Sequence, residues 1–215
     1  AFAPPSTLTV GEREPEESTQ IEGGLKKIFM DGKASGTFAV YRIKKVNIAI
    51  PDDTGVTRQI GDQESKGFEV ELGLTDMKPV TAFFNYAFND SELTNFAEFV
   101  FTPVGPIRFD RSGNTTAFAP RHIMNLWVLK DFSNGFGIGG GPRYVSDQFI
   151  SEDNSFAIDG YVTWDAVVYY DWSQWRFSLN FKNLTDKDYE IRGFGSSSVI
   201  PADPFAIYGG VEFKL

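Results

Sequence analysis

Apolar and polar residues alternate along most of this chain with a period of two, as on a strand buried on one face, and not with the 3.6-residue repeat of a helix. The segment Trp175–Lys182 shows this most cleanly: Trp175, Phe177, Leu179 and Phe181 share one face, and Arg176, Ser178, Asn180 and Lys182 the other. Within residues 63–74, Phe68, Val70, Leu72 and Leu74 oppose Ser65, Gly67, Glu69, Glu71 and Gly73. The same spacing groups Val80, Ala82, Phe84, Tyr86 and Phe88, then Val162, Trp164, Ala166, Val168, Tyr170 and Trp172, and finally Ile207, Gly209, Val211, Phe213 and Leu215. Weaker versions run through residues 21–29, 37–48, 122–129 and 136–145. The pattern predicts an all-β chain of nine strands without a helix.

The links between these strands are of two kinds. Residues 31–32, 75–79, 131–135 and 171–174 are short and hold turn formers such as Asp31-Gly32 and Ser133-Asn134-Gly135. Residues 51–57, 90–117, 148–155 and 184–204 are longer, and the two kinds alternate along the chain. In an up-and-down meander every tight turn then lies at one end of the sheet and every long loop at the other. A soluble sandwich has no reason to sort its links this way. A transmembrane antiparallel up-and-down β-barrel does: its turns are short on one side of the membrane and its loops long on the other. Its strands of about ten residues alternate lipid-facing apolar with lumen-facing polar side chains. Tyr169, Tyr170, Trp172 and Trp175 beside a short turn fit an interfacial aromatic girdle. The competing reading is that such rings fill a soluble core.

Composition narrows the chemistry. The 215 residues suit one ordinary domain or two small ones. The chain has no cysteine, which removes disulfides, thiolate metal sites and cysteine nucleophiles. His122 is the only histidine, which leaves no His-based metal cluster and no Ser/His triad. A protease or lipase on a barrel rim would need a clustered nucleophile and base that this inventory does not supply. The formal charge of −9 and pI near 4.7 disfavour a nucleic-acid partner. No apolar run approaches the 18 or so residues of a spanning helix. Ala1-Phe2-Ala3-Pro4-Pro5 holds neither an initiator Met nor an apolar signal core, as expected of a mature chain or an excised piece.

Nine strands pose a closure problem. The first and last run in the same direction, whereas single-chain bacterial barrels pair an even number of antiparallel strands. Open edges in hydrocarbon would leave amides unsatisfied. The expectation is therefore a partial barrel whose remaining strands lie N-terminal to Ala1, with residues 1–10 passing from an upstream strand into a loop.

Six stretches carry a family resemblance: residues 15–26 (PEESTQIEGGLK), 36–47 (GTFAVYRIKKVN), 63–72 (QESKGFEVEL), 119–122 (APRH), 180–189 (NFKNLTDKDY) and 210–215 (GVEFKL). In register across almost the whole chain, they resemble the TonB-dependent outer-membrane receptors, and in particular the siderophore-receptor branch. The resemblance implies that residues 1–215 are the C-terminal portion of a plugged barrel of about 22 strands, with the plug domain and the N-terminal strands absent. It implies import of a scarce ligand, foremost a ferric siderophore, across the bacterial outer membrane. Ligand would bind at extracellular loops, and plug rearrangement driven through TonB, ExbB and ExbD would follow. No covalent chemistry and no cofactor besides the ligand are implied. Outer-membrane lipid, lipopolysaccharide and the barrel assembly machinery are the further partners. A passive porin, or another barrel that does not use TonB, and a soluble β-rich binding module are the rival readings. Two departures stand out. The chain ends Phe213-Lys214-Leu215 rather than on an aromatic residue. Pro201-Ala202-Asp203-Pro204-Phe205 also replaces the basic Gly-x-Pro-Arg-like tetrad common before the last strand, so the role of that Arg does not transfer.

Ligand contacts are expected in the long loops. Residues 90–117 hold Phe96, Phe99, Phe101 and Phe109 beside Arg108 and Arg111, rings able to pack on a siderophore and guanidinium groups able to pair with its anionic oxygens. The last loop adds Tyr189, Arg192 and Phe194, with Gly193 and Gly195 permitting unusual backbone angles. The candidate substrate-binding set is Phe96, Arg108, Phe109, Arg111, Tyr189, Arg192 and Phe194, with no catalytic and no metal-binding residue. The structural alternative is that a loop of this length needs its own apolar cluster to stay folded. Asp52-Asp53 and Glu152-Asp153 offer oxygen ligands to a hard cation, or are simply solvated. Within strands, Arg42, Lys44, Glu69 and Glu71 are expected to face the lumen, because a basic residue against mid-bilayer lipid costs about 2–4 kcal/mol.

Overall fold

The computed structural model describes residues 15–51, 57–194 and 198–214. Among these, the strands are β1 (Glu17–Phe29), β2 (Ala34–Pro51), β3 (Thr57–Met77), β4 (Val80–Asn95), β5 (Ala97–Thr102), β6 (Gly105–Asp110), β7 (His122–Asp131), β8 (Phe136–Val145), β9 (Gln148–Phe149), β10 (Ala157–Ile158), β11 (Tyr161–Trp172), β12 (Trp175–Lys182), β13 (Glu190–Phe194), β14 (Ser198–Pro201) and β15 (Ala206–Phe213). No helix occurs among the described residues. Nine strands form one antiparallel sheet in the order β1-β2-β3-β4-β7-β8-β11-β12-β15, as the alternation predicts. The sheet does not close among these residues, and β1 and β15 are its edges. The other six strands form hairpins within the long connections: β5 with β6, β9 with β10 and β13 with β14. The tip of the 51–57 link, Pro4, Pro5 and Leu215 lie outside the described residues.

Register decides which side chains share a face. Leu25, Phe38, Val70, Tyr86, Met124, Tyr144 and Val162 are cross-strand partners in one continuous row. A second row on the same face spans all nine strands: Phe29, Ala34, Leu74, Ala82, Val128, Gly140, Ala166, Phe181 and Ile207. The row between belongs to the other face because side chains alternate, and it reads Thr37, Glu71, Asn85, Asn125, Arg143 and Thr163. One surface is therefore an apolar belt whose residues, Leu25, Leu72, Ile138, Leu179 and Val211 among them, are exposed. The other surface is mostly polar, with Phe83, Trp127, Leu129 and Val167 among its apolar exceptions. In water a continuous apolar belt of this size is an aggregation liability, and in a bilayer it is the contact surface. The row from Phe29 to Ile207 starts beside a short turn and ends beside a long loop, so the strands are staggered as barrel curvature demands. From Val80 to Phe88 the chain rises about 27 Å at ~3.4 Å per residue. At a tilt of about 40° this covers roughly 20 Å of membrane thickness.

Aromatic rings rim both ends of the belt. Beside the short turns, Phe136 and Tyr170 lie 4.7 Å apart between ring centroids, and Trp175 and Phe213 lie 4.8 Å apart. Toward the long loops, Phe68, Phe88 and His122 follow one another at 5.6 and 5.4 Å. The Tyr86 hydroxyl and His122 Nδ1 share a hydrogen bond of 2.8 Å.

Three expectations need correction. Tyr169 is not part of the girdle: it is buried on the lumen face, donates a hydrogen bond to Asp131 and lies 4.1 Å under the Arg176 guanidinium. Gly137 opposite makes the room, since a Cβ there would stand 2.1 Å from the Tyr169 ring. Arg42 and Lys44 do not face the lumen, because they share the parity of Phe38 and Val40. They avoid hydrocarbon by lying past the belt, where Glu64 accepts two hydrogen bonds from Arg42 at 2.9 and 2.8 Å. Glu69 and Glu71 do face inward. Finally, residues 90–117 are not all loop. Residues 90–95 continue β4 in pairing with β3, and β5 and β6 fill most of the rest.

Candidate ligand-binding mouth

Two local devices shape the mouth at the long-loop end. The first is Asn183, just past β12, with φ of 49° and 4 % exposure. Its amide nitrogen Nδ2 donates to the carbonyls of Lys187 and Asp203 at 3.0 and 3.3 Å, and its Oδ1 accepts the Lys187 N–H at 3.0 Å. Its own N–H donates to Asp165 at 3.0 Å. Asp186, also left-handed, accepts the Phe205 N–H at 2.8 Å. Asn and Asp tolerate these backbone angles and satisfy nearby main-chain groups, which explains their presence in residues 183–186. Together they pin the exit of β12 to the entry of β15 and turn Tyr189 back onto Tyr161, ring centroids 4.2 Å apart.

Beneath this knot lies a lumen-facing hollow of about 470 Å³, lined in part by Arg143, Tyr161, Lys182, Tyr189 and Tyr208. Lys182 pairs with Asp165 at 2.6 Å. Burial, with a smaller contribution from Tyr161, raises the Tyr189 phenol above its ordinary pKa. It is therefore a neutral hydrogen-bonding ring at pH 7.

The second device locks two loops together. Asn154 accepts the Thr115 N–H and donates to the Thr115 carbonyl, both at 2.8 Å. Glu152 accepts the Ala117 N–H at 3.2 Å, and its backbone carbonyl accepts from Asn114 at 2.8 Å. Burial raises the Glu152 carboxyl pKa. A chain of hydroxyls, Ser65 to Ser91 to Thr116 at 2.8 and 2.9 Å, ties the same loop to the wall. Leu93, Ala97, Ile150 and Ile158 are buried in these segments, apolar anchorage of the kind a folded loop of this length needs.

The seven candidate residues do not converge. Tyr189 lines the hollow. Arg111 is engaged with Glu98 at 2.8 Å and lies 4.9 Å over the Phe109 ring, which supports the β5–β6 hairpin. Phe96 is half-buried and anchored by its backbone to Arg111 and Ser112, while Arg108 is exposed on β6. Arg192 is exposed and lies 5.2 Å over the Phe118 ring. Phe194 belongs to β13, and its side chain lies outside the described residues, as do Asp52, Asp53 and Gly195. Glu152 and Asp153 do not act as a pair. Asp153 is held below the usual carboxylate range first by the Ser151 hydroxyl and then by the Ser155 N–H. Among the described residues no cluster of three or more His, Asp or Glu side chains is arranged for a metal. The residues missed were Arg143, Lys182 and Tyr208, and their signal was present: each alternates with a lipid-facing neighbour on its strand.

A one-sided belt between two aromatic rims, with tight turns at one end and ordered loops at the other, defines this chain as wall from a transmembrane β-barrel. Residues 3–184 match the family model described as TonB dependent receptor-like, beta-barrel, and the chain belongs to that family, whose barrels lie in the outer membrane of Gram-negative bacteria. Among relatives, the probable TonB-dependent siderophore receptor PiuA of Acinetobacter baumannii is 26% identical over 204 residues, covering 94% of this chain and 27% of its own length. The ferrioxamine B receptor of Salmonella typhimurium is 31% identical over 193 residues, covering 82% of this chain and 25% of its own. The crystal structure of the PiuA receptor superposes with a TM-score of 0.84 at 25% identity, covering 94% of this chain and 29% of that one. The chain thus spans about a quarter of the length of these curated relatives. They are transport receptors, not enzymes.

Proposed function

We propose that this chain is the C-terminal part of a receptor that imports a ferric siderophore, with TonB, ExbB and ExbD driving rearrangement of a plug encoded outside these residues. The observation that carries the reading is the lumen-facing hollow, where Tyr161, Tyr189 and Tyr208 stand beside Arg143 and Lys182. Rings and two cations, beside the carboxylates Asp165 and Asp203, give this wall both stacking and ion-pairing partners for a polar metal chelate. The names of the relatives support a siderophore as the ligand, and ferrioxamine B is the first probe to use. The barrel assembly machinery would insert the protein.

The test uses cells in which the full-length receptor is the only importer for radiolabelled ferrioxamine B, ferrichrome or a ferric catecholate. Collapse of the proton gradient is expected to stop uptake and leave surface binding intact. Tyr189→Ala combined with Arg143→Gln is expected to weaken that binding about tenfold, equivalent to ~1.4 kcal/mol. Uptake that continues without TonB would favour a passive porin instead.

A further inference from the structure

The long connections between β4 and β7 and between β8 and β11 meet at one joint. Asn154 holds both backbone groups of Thr115, Glu152 holds the Ala117 N–H, and the Phe118 N–H donates to the Phe149 carbonyl at 2.8 Å. The same joint reaches the last loop. Arg192 lies over Phe118, and a Cβ at Gly193 would stand 2.5 Å from Cδ1 of the buried Ile150. Ile191, just before Arg192, lines the same hollow as Tyr189. Two features oppose closure of the joint. Phe118 has a φ of 58°, where a bulky side chain is strained, so the contacts on either side must hold it there. Glu152 brings a half-buried carboxyl within reach of the Glu98 charge. Burial pushes that carboxyl above its ordinary pKa, the Ala117 N–H draws it part of the way back, and Glu98 adds to the rise. The other charged groups around the joint are engaged with partners of their own. Arg111 pairs with Glu98, Asp110 accepts the Ser112 N–H, Asp153 accepts from Ser151 and Ser155, and Arg192 stands over Phe118.

We propose that this joint is a proton-operated latch on the long-loop rim, closed when Glu152 is neutral and loosened when it ionises. A neutral carboxyl still offers its carbonyl oxygen to the Ala117 N–H and leaves no charge in the covered site. A carboxylate there must shed water beside a second carboxylate. By linkage, the closed joint binds the Glu152 proton more tightly than the open one does. Closure is therefore strongest below the ordinary carboxylate range and is lost as pH rises through the raised Glu152 pKa. Asp153 does not oppose this: the Ser151 hydroxyl first, then the Ser155 N–H, hold it below its ordinary range, so it stays ionised across that window. Opening also frees Phe118 from its strained backbone, which makes the open and closed arrangements competitors that one proton can tip. Through Arg192 and Ile150 the latch sets how firmly the last loop is held beside the hollow. That consequence for a ligand rests on the proposed function, whereas the latch itself does not.

The experiment follows amide hydrogen exchange of residues 114–118 and 149–155 in the full-length receptor in detergent, without ligand. It compares about pH 4.5 with about pH 7.5 after correction for the intrinsic pH dependence of exchange. Protection of the joint in the unmodified receptor is expected to be at least about threefold greater at the lower pH. Glu152→Gln keeps an acceptor without a charge and should hold the high protection at both pH values. Glu152→Ala lacks the acceptor and should give low protection at both. Residues 162–168 of β11, away from the joint, are expected to keep the same protection throughout. Because no ligand is present, the result stands whether or not the hollow takes a siderophore. Equal protection of the joint at the two pH values, a Gln variant that still loses protection at the higher pH, or a parallel loss in residues 162–168 would overturn the proposal.

Discussion

Leu72→Arg is expected to destabilise the folded barrel by about 2–4 kcal/mol, while Glu71→Arg, one position away, should change stability far less. Leu72 is exposed on the belt face, where Gly36 and Phe84 are its cross-strand partners. It lies midway along the membrane-crossing part of β3. A guanidinium there loses its water and gains no partner, and reaching either interface requires the side chain to stretch along the strand. Glu71 is flanked by Thr37 and Asn85 on the wet side, where an arginine keeps its hydration. Equilibrium folding of the full-length receptor into phospholipid vesicles, followed against denaturant, measures both. Similar losses at the two positions would mean that the sheet does not separate oil from water.

Gly141→Ala is the second large effect, a loss of about 1–3 kcal/mol from steric conflict in a packed wall. A Cβ at Gly141 would stand 1.8 Å from the Leu126 carbonyl oxygen and 2.7 Å from its carbonyl carbon. These are backbone atoms that can yield only if β7 and β8 separate. Pairing of the two strands already lapses here: residues 123–125 pair with 143–145 and residues 128–131 with 137–140, with no partners between. Pro142 contributes no N–H to the ladder, and Gly141 lets the β7 backbone approach closely where that bond is missing. Gly209→Ala is the control, since nothing lies within 4 Å of its Cβ position. It should change stability by no more than about 0.5 kcal/mol in the same titration.

The nine wall strands were legible because a lipid-facing surface and a wet surface impose a strict two-residue period, and the sorting of links by length gave their direction. The hairpins within the loops were not legible. In β5, Phe99, Val100 and Phe101 are apolar in succession, so no face stands out. Tyr169 failed for a related reason: Val167, Val168, Tyr169 and Tyr170 are apolar on both faces, and the space above Gly137, a feature of another strand, decides where the ring goes. For Arg42 the alternation gave the correct parity with Phe38 and Val40 but not the depth at which the strand leaves the membrane. Of the candidate site, Tyr189 was found because it lies in a loop. Arg143, Lys182 and Tyr208 were passed over because they are strand residues, and only register brings β8, β12 and β15 to one hollow.

Sidedness is tested most directly by two tryptophans on opposite faces of neighbouring parts of the wall. Trp164 is exposed on the belt face opposite Pro142, and Trp127 is half-buried on the lumen face opposite Phe83. In the full-length receptor, with each in turn kept as the sole tryptophan, reconstitution into brominated phospholipid should quench Trp164 fluorescence strongly and Trp127 weakly. Equal quenching of the two, or stronger quenching of Trp127, would contradict the account.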